Sequence, residues 1–236
     1  MQWTDESIAF LRDAAAMNRY YETIAERIAP QLPENAHICD AGCGIGELSL
    51  ALKPYCHHVT AVDADALAIK TLKAHLIEGV TARCGDMETL APEKPYDAMV
   101  FCLFGRTEDT LRIARKQCRG KIFLVKRDYS HHCFSAEQVS LGEYTAGSTE
   151  AVLHEKGIPY TVERFTAEFG QPFRSLEAAE RFFALYNRSR SETLSKDEIK
   201  ARLTAGPSAE FPYYLPHKKA LRLFTVETAD IPEEAV

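Results

Sequence analysis

Ile38-Cys39-Asp40-Ala41-Gly42-Cys43-Gly44-Ile45-Gly46 joins a short apolar run to three alternating glycines, and a helical pattern follows to Leu52 before Pro54 ends it. The run from Ala36 to Asp40 has the length and apolar density of a strand buried on both faces. The glycines let the backbone turn sharply and approach a ligand closely. The pattern repeats outward. His58 to Asp63 reads as a second strand, Ala66 to Ile77 as its helix and Gly79 as the helix cap. Val80 to Arg83 is a third strand, Tyr96 to Cys102 a fourth, Thr107 to Gln117 a helix and Lys121 to Val125 a fifth strand. Strands alternating with helices at this interval predict a mainly parallel sheet covered on both faces. Right-handed crossovers make such a sheet doubly wound, with ligands at the carboxyl ends of its strands.

The flanks are less regular. Residues 4–29 carry helical spacing in Ile8, Leu11, Ala15, Ile24 and Ile28, enough for one or two helices ended by Pro30 and Pro33. Residues 128–147 read as a polar loop, Ser148 to Lys156 as a helix and Tyr160 to Phe169 as a sixth strand. Helices follow over Leu176 to Tyr186 and Ser195 to Leu203, the second opened by a capping box of Ser195 and Glu198. An aromatic, proline-rich loop around Tyr213 and Tyr214 precedes a last strand from Leu221 to Glu227 and an acidic tail.

The 236 residues suit one domain, and an apolar fraction of 46% with 26% charged residues excludes global disorder. The longest nearly apolar run, Ala98 to Gly105, is far short of the ~20 residues that span a bilayer. No membrane association is expected, and the acidic N-terminus lacks the apolar core of a secretory signal. Seven cysteines, an odd number without a C-x-x-C pair, predict reduced thiols in a cytoplasmic protein. A net charge of −6 argues against a nucleic-acid partner. The acid-free basic run Arg112, Arg115, Lys116, Arg119, Lys121, Lys126, Arg127 reads as a solvated helix face and turn.

The glycine turn does not match a dinucleotide fingerprint. Counted from Gly42, the third small residue falls on Glu47; counted from Gly44, it falls on Ser49. Glu47 at the start of the helix would also repel a pyrophosphate. A ligand with a cationic centre and no phosphate tolerates that carboxylate. The second strand ends in Asp63, 21 residues after Gly42, where an acid can accept from both hydroxyls of a ribose.

Residues 38–46 resemble the first motif of class I S-adenosylmethionine-dependent methyltransferases. Ala61-Val62-Asp63, Cys84-Gly85-Asp86-Met87 and Tyr96-Asp97-Ala98-Met99-Val100 resemble three further motifs of that family, in order. The resemblance covers about residues 18–127, and more loosely the whole chain. It implies a Rossmann-like α/β fold: a doubly wound, seven-stranded, mainly parallel sheet with the last strand antiparallel and helical substrate-cap additions. The cofactor implied is S-adenosylmethionine, released as S-adenosylhomocysteine. Asp40, Gly42, Gly44 and Gly46 would hold its methionine end, with Tyr20 and Tyr21 near the carboxylate. Asp63 would take the ribose, Asp86 and Met87 the adenine, and Cys102 would lie beside the reacting centre. Residues 1–30 would form a helical cap, 31–169 the cofactor core, 170–220 an insertion over the acceptor and 221–236 the last strand and tail.

The acceptor leaves a fainter trace, because methyl transfer needs alignment more than a base, a metal or a covalent nucleophile. The fourth strand runs out in Phe101-Cys102-Leu103-Phe104-Gly105, without the Asn- or Asp-Pro-Pro-aromatic turn of enzymes acting on nucleobase or glutamine nitrogens. A small-molecule acceptor is expected. His131 and His132, after the fifth strand, are candidate bases. Trp3, Phe104, Tyr213, Tyr214 and His217 are candidate acceptor contacts. No metal site is expected, since the thiols read as buried and inert. The alternatives are a protein or tRNA methyltransferase and a non-catalytic cofactor-binding module. The protein is expected to be a monomer or homodimer.

Overall fold

The structure, a computed structural model, describes residues 3–75 and 77–233. Thr4 caps the first helix, α1 (Asp5–Met17), by accepting the Ser7 N–H. Asn18 ends it, its amide donating to the Ala14 carbonyl at 2.7 Å and the Gly170 carbonyl at 2.8 Å. The helical spacing over 4–29 is therefore two helices, and α2 (Tyr20–Ile28) turns Ile24, Ala25 and Ile28 into the core. The chain continues through β1 (His37–Ala41), α3 (Glu47–Leu52), β2 (His58–Asp63), α4 (Ala66–Lys73), β3 (Val80–Cys84), β4 (Tyr96–Cys102), α5 (Thr107–Gln117) and β5 (Cys118–Arg127). The second half holds α6 (Ala146–Glu155), β6 (Thr161–Glu168), β7 (Gln171–Phe173), α7 (Leu176–Tyr186), α8 (Lys196–Ala201), β8 (Thr204–Ala205), β9 (Tyr213–Leu215) and β10 (Lys218–Glu227).

Seven strands form the main sheet in the order β3-β2-β1-β4-β5-β10-β6. The pairings from β3 to β5 are parallel, and β10 runs antiparallel to both β5 and β6. From β1 the chain builds outward to β2 and β3, then returns to lay β4 on the other side of β1. That reversal opens a crevice at the carboxyl ends of β1 and β4, the usual ligand position of an open α/β sheet. Phe101 on β4, Phe123 on β5 and Phe224 on β10 are completely buried. Each contributes about 1.5–3 kcal/mol of transfer free energy to holding the strands that frame the crevice.

Residues 170–220 fold as a small layer with its own core. β7, β9 and β8 make a second antiparallel sheet, and Phe173, Phe182, Phe183, Ile199 and Leu215 pack with Phe10 of α1. The stretch around Tyr213 and Tyr214, expected to be a loop, contains β9. Strands of two or three residues are too short to show alternation in sequence. α4 also stops earlier than its pattern suggests, capped at Ala74, while Gly79 takes φ +77° in the turn into β3.

Asp97 lies at the start of β4, at the opposite end of the sheet from the crevice. Its carboxylate accepts the His37 N–H at 2.8 Å and pairs with Arg119. Burial works against its charge, but these donors win and hold the carboxyl below its usual range. Asp97→Ala should therefore lower stability by about 1–3 kcal/mol in denaturant unfolding and leave cofactor affinity unchanged. The contribution is present above the ordinary carboxylate range and is lost as pH falls through the depressed value.

Candidate active site

At the carboxyl end of β1 the chain enters the left-handed region at Gly42 (φ +71°), Gly44 (φ +55°) and Gly46 (φ +89°). Gly42 and Cys43 donate to the Val62 carbonyl at 2.8 and 2.9 Å, which ties the turn to β2. Gly46 is the N-cap of α3. The turn is covered by rings. A Cβ at Gly42 would run into the Phe104 ring, and one at Gly44 would meet Trp3 Cζ2 at 2.6 Å. Trp3 is itself fixed by its backbone N–H, which donates to Asp65 Oδ2 at 3.1 Å. Trp3 and Phe104, far apart in sequence, thus close over one turn.

Carboxylates rim it. Asp63 Oδ2 accepts the Gly44 N–H at 2.8 Å and Oδ1 accepts the Asp65 N–H at 2.9 Å, which leaves further lone pairs facing the crevice. Asp40 is buried; Ser49 Oγ donates to its Oδ2 at 2.6 Å. Burial pushes the Asp40 carboxyl up to about 6, opposed by Ser49 and aided by the charge of Asp63. Glu47 is also raised by burial, with Arg12 opposing. Asp86 is exposed after β3, where its Oδ1 accepts the Glu88 N–H at 2.9 Å. Met87 beside it is buried, and its carbonyl accepts from Gln117 Nε2. The acid-rich rim and bare glycine backbone fit a cationic cofactor without phosphate.

The turn after β4 is strained. Leu103 takes φ +54°, costly for a side chain with a Cβ. Lys126, buried on β5, donates to the Phe104 and Gly105 carbonyls at 3.3 and 2.9 Å and holds the turn in shape. Burial pushes the Lys126 ammonium down to about 8. Cys102 ends β4 with its thiol pushed up to about 12 by burial and by Asp40, so it stays protonated. Cys43 is raised for the same reasons.

Side chains alternate along a strand. On the face covered by α2, the carboxyl edge therefore carries Asp40 from β1, Cys102 from β4 and Arg127 from β5. Lys219 from the start of β10, and Phe169 after β6, continue the row. Tyr20 and Tyr21 of α2 lie over it, both packed against Phe169. Burial raises both phenols, with Cys102 next in effect; Asp40 and Glu47 act on Tyr21, and Tyr129 and Arg127 on Tyr20. Lys219 Nζ sits 4.7 Å from the Tyr20 ring centroid and 4.2 Å from that of Phe169.

The remaining sequence candidates divide. His132 is half-buried, its Nδ1 2.9 Å from Ser135 Oγ, and its pKa is lowered by burial and by Arg188 and Arg127. His217 faces Phe134 at 4.9 Å and is pushed down to about 4 by burial, with Lys219 and His132 adding to the effect. His131 is exposed and bonded to its neighbour Ser130. Tyr213 packs into the core of the insertion, and the Tyr214 hydroxyl donates to Glu168 at 2.9 Å and Asn18 at 3.2 Å. These two tyrosines tie the insertion to the helices before β1; neither contacts the glycine turn. The basic run is not a free face. Arg112, Arg115, Arg119 and Lys121 pair with carboxylates, and Lys126 is buried. Lys126 and Lys219 carry no signal in sequence: a lysine turned inward looks like a surface one until its strand is placed.

A model of the methyltransferase domain matches residues 38–119, from β1 into the start of β5. No curated protein matches the chain in sequence. In structure it is similar to the YcgJ protein of Bacillus subtilis, with a TM-score of 0.54 and 14% identity over 87% of this chain and 97% of that one. It is also similar to the N-methyltransferase NodS of Bradyrhizobium japonicum WM9, solved with S-adenosyl-L-homocysteine, with a TM-score of 0.51 and 13% identity over 87% of this chain and 84% of that one. At such identities the likeness speaks for the fold, which agrees with the matched domain and with a glycine turn at the strand-order reversal. Residues 38–119 thus match a methyltransferase domain, on a fold shared with these solved structures.

Proposed function

We propose that the protein transfers a methyl group from S-adenosylmethionine to a small-molecule acceptor and releases S-adenosylhomocysteine. The observation that carries this reading is the acid-rimmed glycine turn, with the Asp63 carboxylate fixed on the Gly44 N–H. Asp40 and the turn would hold the cationic methionine end, with Tyr21 above them. Asp63 would accept from the ribose hydroxyls, and Asp86 with the Met87 backbone would meet the adenine. S-Adenosylmethionine supplies an electrophilic methyl group on a sulfonium. The acceptor brings the electron pair for the new bond, the sulfur leaves as a neutral thioether, and any acceptor proton goes to a base. His132 suits that task, because its Nδ1 is occupied by Ser135 and its other ring nitrogen is left for the acceptor. The reading of a small acceptor is supported by the apolar turn after β4, the packed insertion and the paired basic run. Phe104, Trp3 and His217 would wall the space.

Asp40 gives a signed prediction. Its carboxyl is raised, so ionising it in the fold costs stability above about pH 6, and this cost falls away as pH drops from 6 towards 4. Asp40→Asn should raise the melting temperature of the free protein at pH 7.5. It should also weaken S-adenosylmethionine binding about tenfold or more, since a cationic ligand loses its counter-charge. Wild-type affinity should fall as pH drops through 6, with no such step in the variant. A screen with labelled methyl donor over metabolite pools, bulk tRNA and cell protein tests the acceptor class: label in the small-molecule fraction supports the reading, and label only in tRNA or protein overturns it.

A further inference from the structure

Lys219 and Arg127 carry positive charge into the acceptor side of the crevice, and among the described residues neither pairs with a carboxylate. The nearest acid in sequence, Asp128, is taken by Arg222 at 2.8 Å and by Arg164 at 3.9 Å. The two cations stand on adjacent antiparallel strands and face the same side. Arg127 is opposite Leu221, two residues along from Lys219. Burial, and after it the charge of Arg127, brings the Lys219 ammonium down to about 7. Cys102 and Cys133 act on Lys219 in the opposite direction, more weakly than burial and Arg127. His132 and His217 close the same region, His132 lowered by burial and then by Arg188 and Arg127, and His217 by burial and then by Lys219.

The Tyr20 hydroxyl is a second, independent observation. Tyr20 is 1% exposed, and its hydroxyl has no hydrogen-bond partner among the described residues. Arg127 and Tyr129 are among the groups whose charge it feels. A buried unpartnered donor costs free energy until an acceptor reaches it. The walls between these groups are aromatic: Tyr20 and Phe169 against Lys219, and Phe134 against His217. Two cations without a carboxylate partner, beside aromatic rings and an unpartnered hydroxyl, suit a flat apolar molecule bearing a negative group.

We propose that the methyl acceptor is a small carboxylic acid with an apolar, aromatic body, whose carboxylate is held by Lys219 and Arg127 with the Tyr20 hydroxyl. This deepens, and rests on, the methyltransferase reading. A bound carboxylate supplies the partner that Lys219 and Arg127 lack among the described residues, and charge-assisted bonds of this kind are stronger than neutral ones. The rings then contribute contact area around the anion without competing for it.

The test is calorimetry on the full chain saturated with S-adenosylhomocysteine, titrated with benzoate and phenylacetate and with their neutral amides. The acids should bind at least about tenfold tighter than the amides. Lys219→Gln and Arg127→Gln should each remove that preference, while Lys219→Arg keeps it and all three variants keep their S-adenosylhomocysteine affinity and their melting transition. Equal binding of acids and amides to protein that does take S-adenosylhomocysteine overturns the inference and leaves the methyltransferase reading in place. So does an acid preference untouched by Lys219→Gln and Arg127→Gln. Failure of the wild-type protein to take S-adenosylhomocysteine at all overturns the methyltransferase reading, and this inference with it.

Discussion

Asp63→Ala should weaken S-adenosylmethionine binding by about a hundredfold or more, the largest loss expected from any single carboxylate of the rim. Two effects combine. The ribose hydroxyls lose a charged acceptor, and a hydrogen bond to a charged group contributes about 1.5–3 kcal/mol. The glycine turn also loses its internal brace, because Asp63 accepts the Gly44 N–H at 2.8 Å and the Asp65 N–H at 2.9 Å. Asp65 in turn caps α4 through the Leu67 and Ala68 N–H groups and holds the Trp3 N–H. The substitution should therefore loosen the ring that covers Gly44 as well as the cofactor. Asp63→Asn separates the effects, since its amide oxygen can still brace one N–H without the charge. Calorimetry should place Asn between wild type and Ala. Equal affinity of Asp63→Ala and wild type would refute the ribose assignment.

Gly42→Val should abolish cofactor binding and destabilise the fold by about 2–4 kcal/mol. The residue sits at φ +71°, where a β-branched side chain is strained, and a Cβ would run into the Phe104 ring. Phe104 cannot retreat freely. It stacks on the buried Phe101 ring at 6.4 Å, and its carbonyl is held by Lys126. Gly142→Ala is the control. It shares a left-handed backbone at φ +55°, but a Cβ there would meet nothing within 4 Å, so the change should cost only about 1 kcal/mol of backbone strain. Thermal melts and cofactor titration of the pair separate left-handed strain from the close approach that the site requires.

Much of this was readable along the chain because it depends on local pattern. Alternating glycines between an apolar strand and a helix fixed the position of β1 and its turn, and Asp63 at the end of β2 and Asp86 just after β3 followed in order. The capping box at Ser195 and Glu198 forms as its spacing implied. What sequence left hidden depends on which side chains a sheet brings together. Lys126 and Arg127 are neighbours in a run that reads as a solvated basic face, yet strand alternation sends one to the turn after β4 and the other to the face covered by α2. Lys219 is more than ninety residues from Arg127 and meets it only because β10 inserts antiparallel beside β5. Trp3 reaches Gly44 through a helix start tethered to Asp65. The short strands of the insertion were invisible because two or three residues carry no period.

We place the cofactor at the turn of Gly42 and Gly44, with Asp63. Titration calorimetry of the wild-type protein with S-adenosylhomocysteine and S-adenosylmethionine tests it most directly. Both should bind saturably at one site per chain, about a hundredfold or more weaker in Asp63→Ala, lost in Gly42→Val and retained in Asp97→Ala. No binding of either compound to the folded wild-type protein would contradict it.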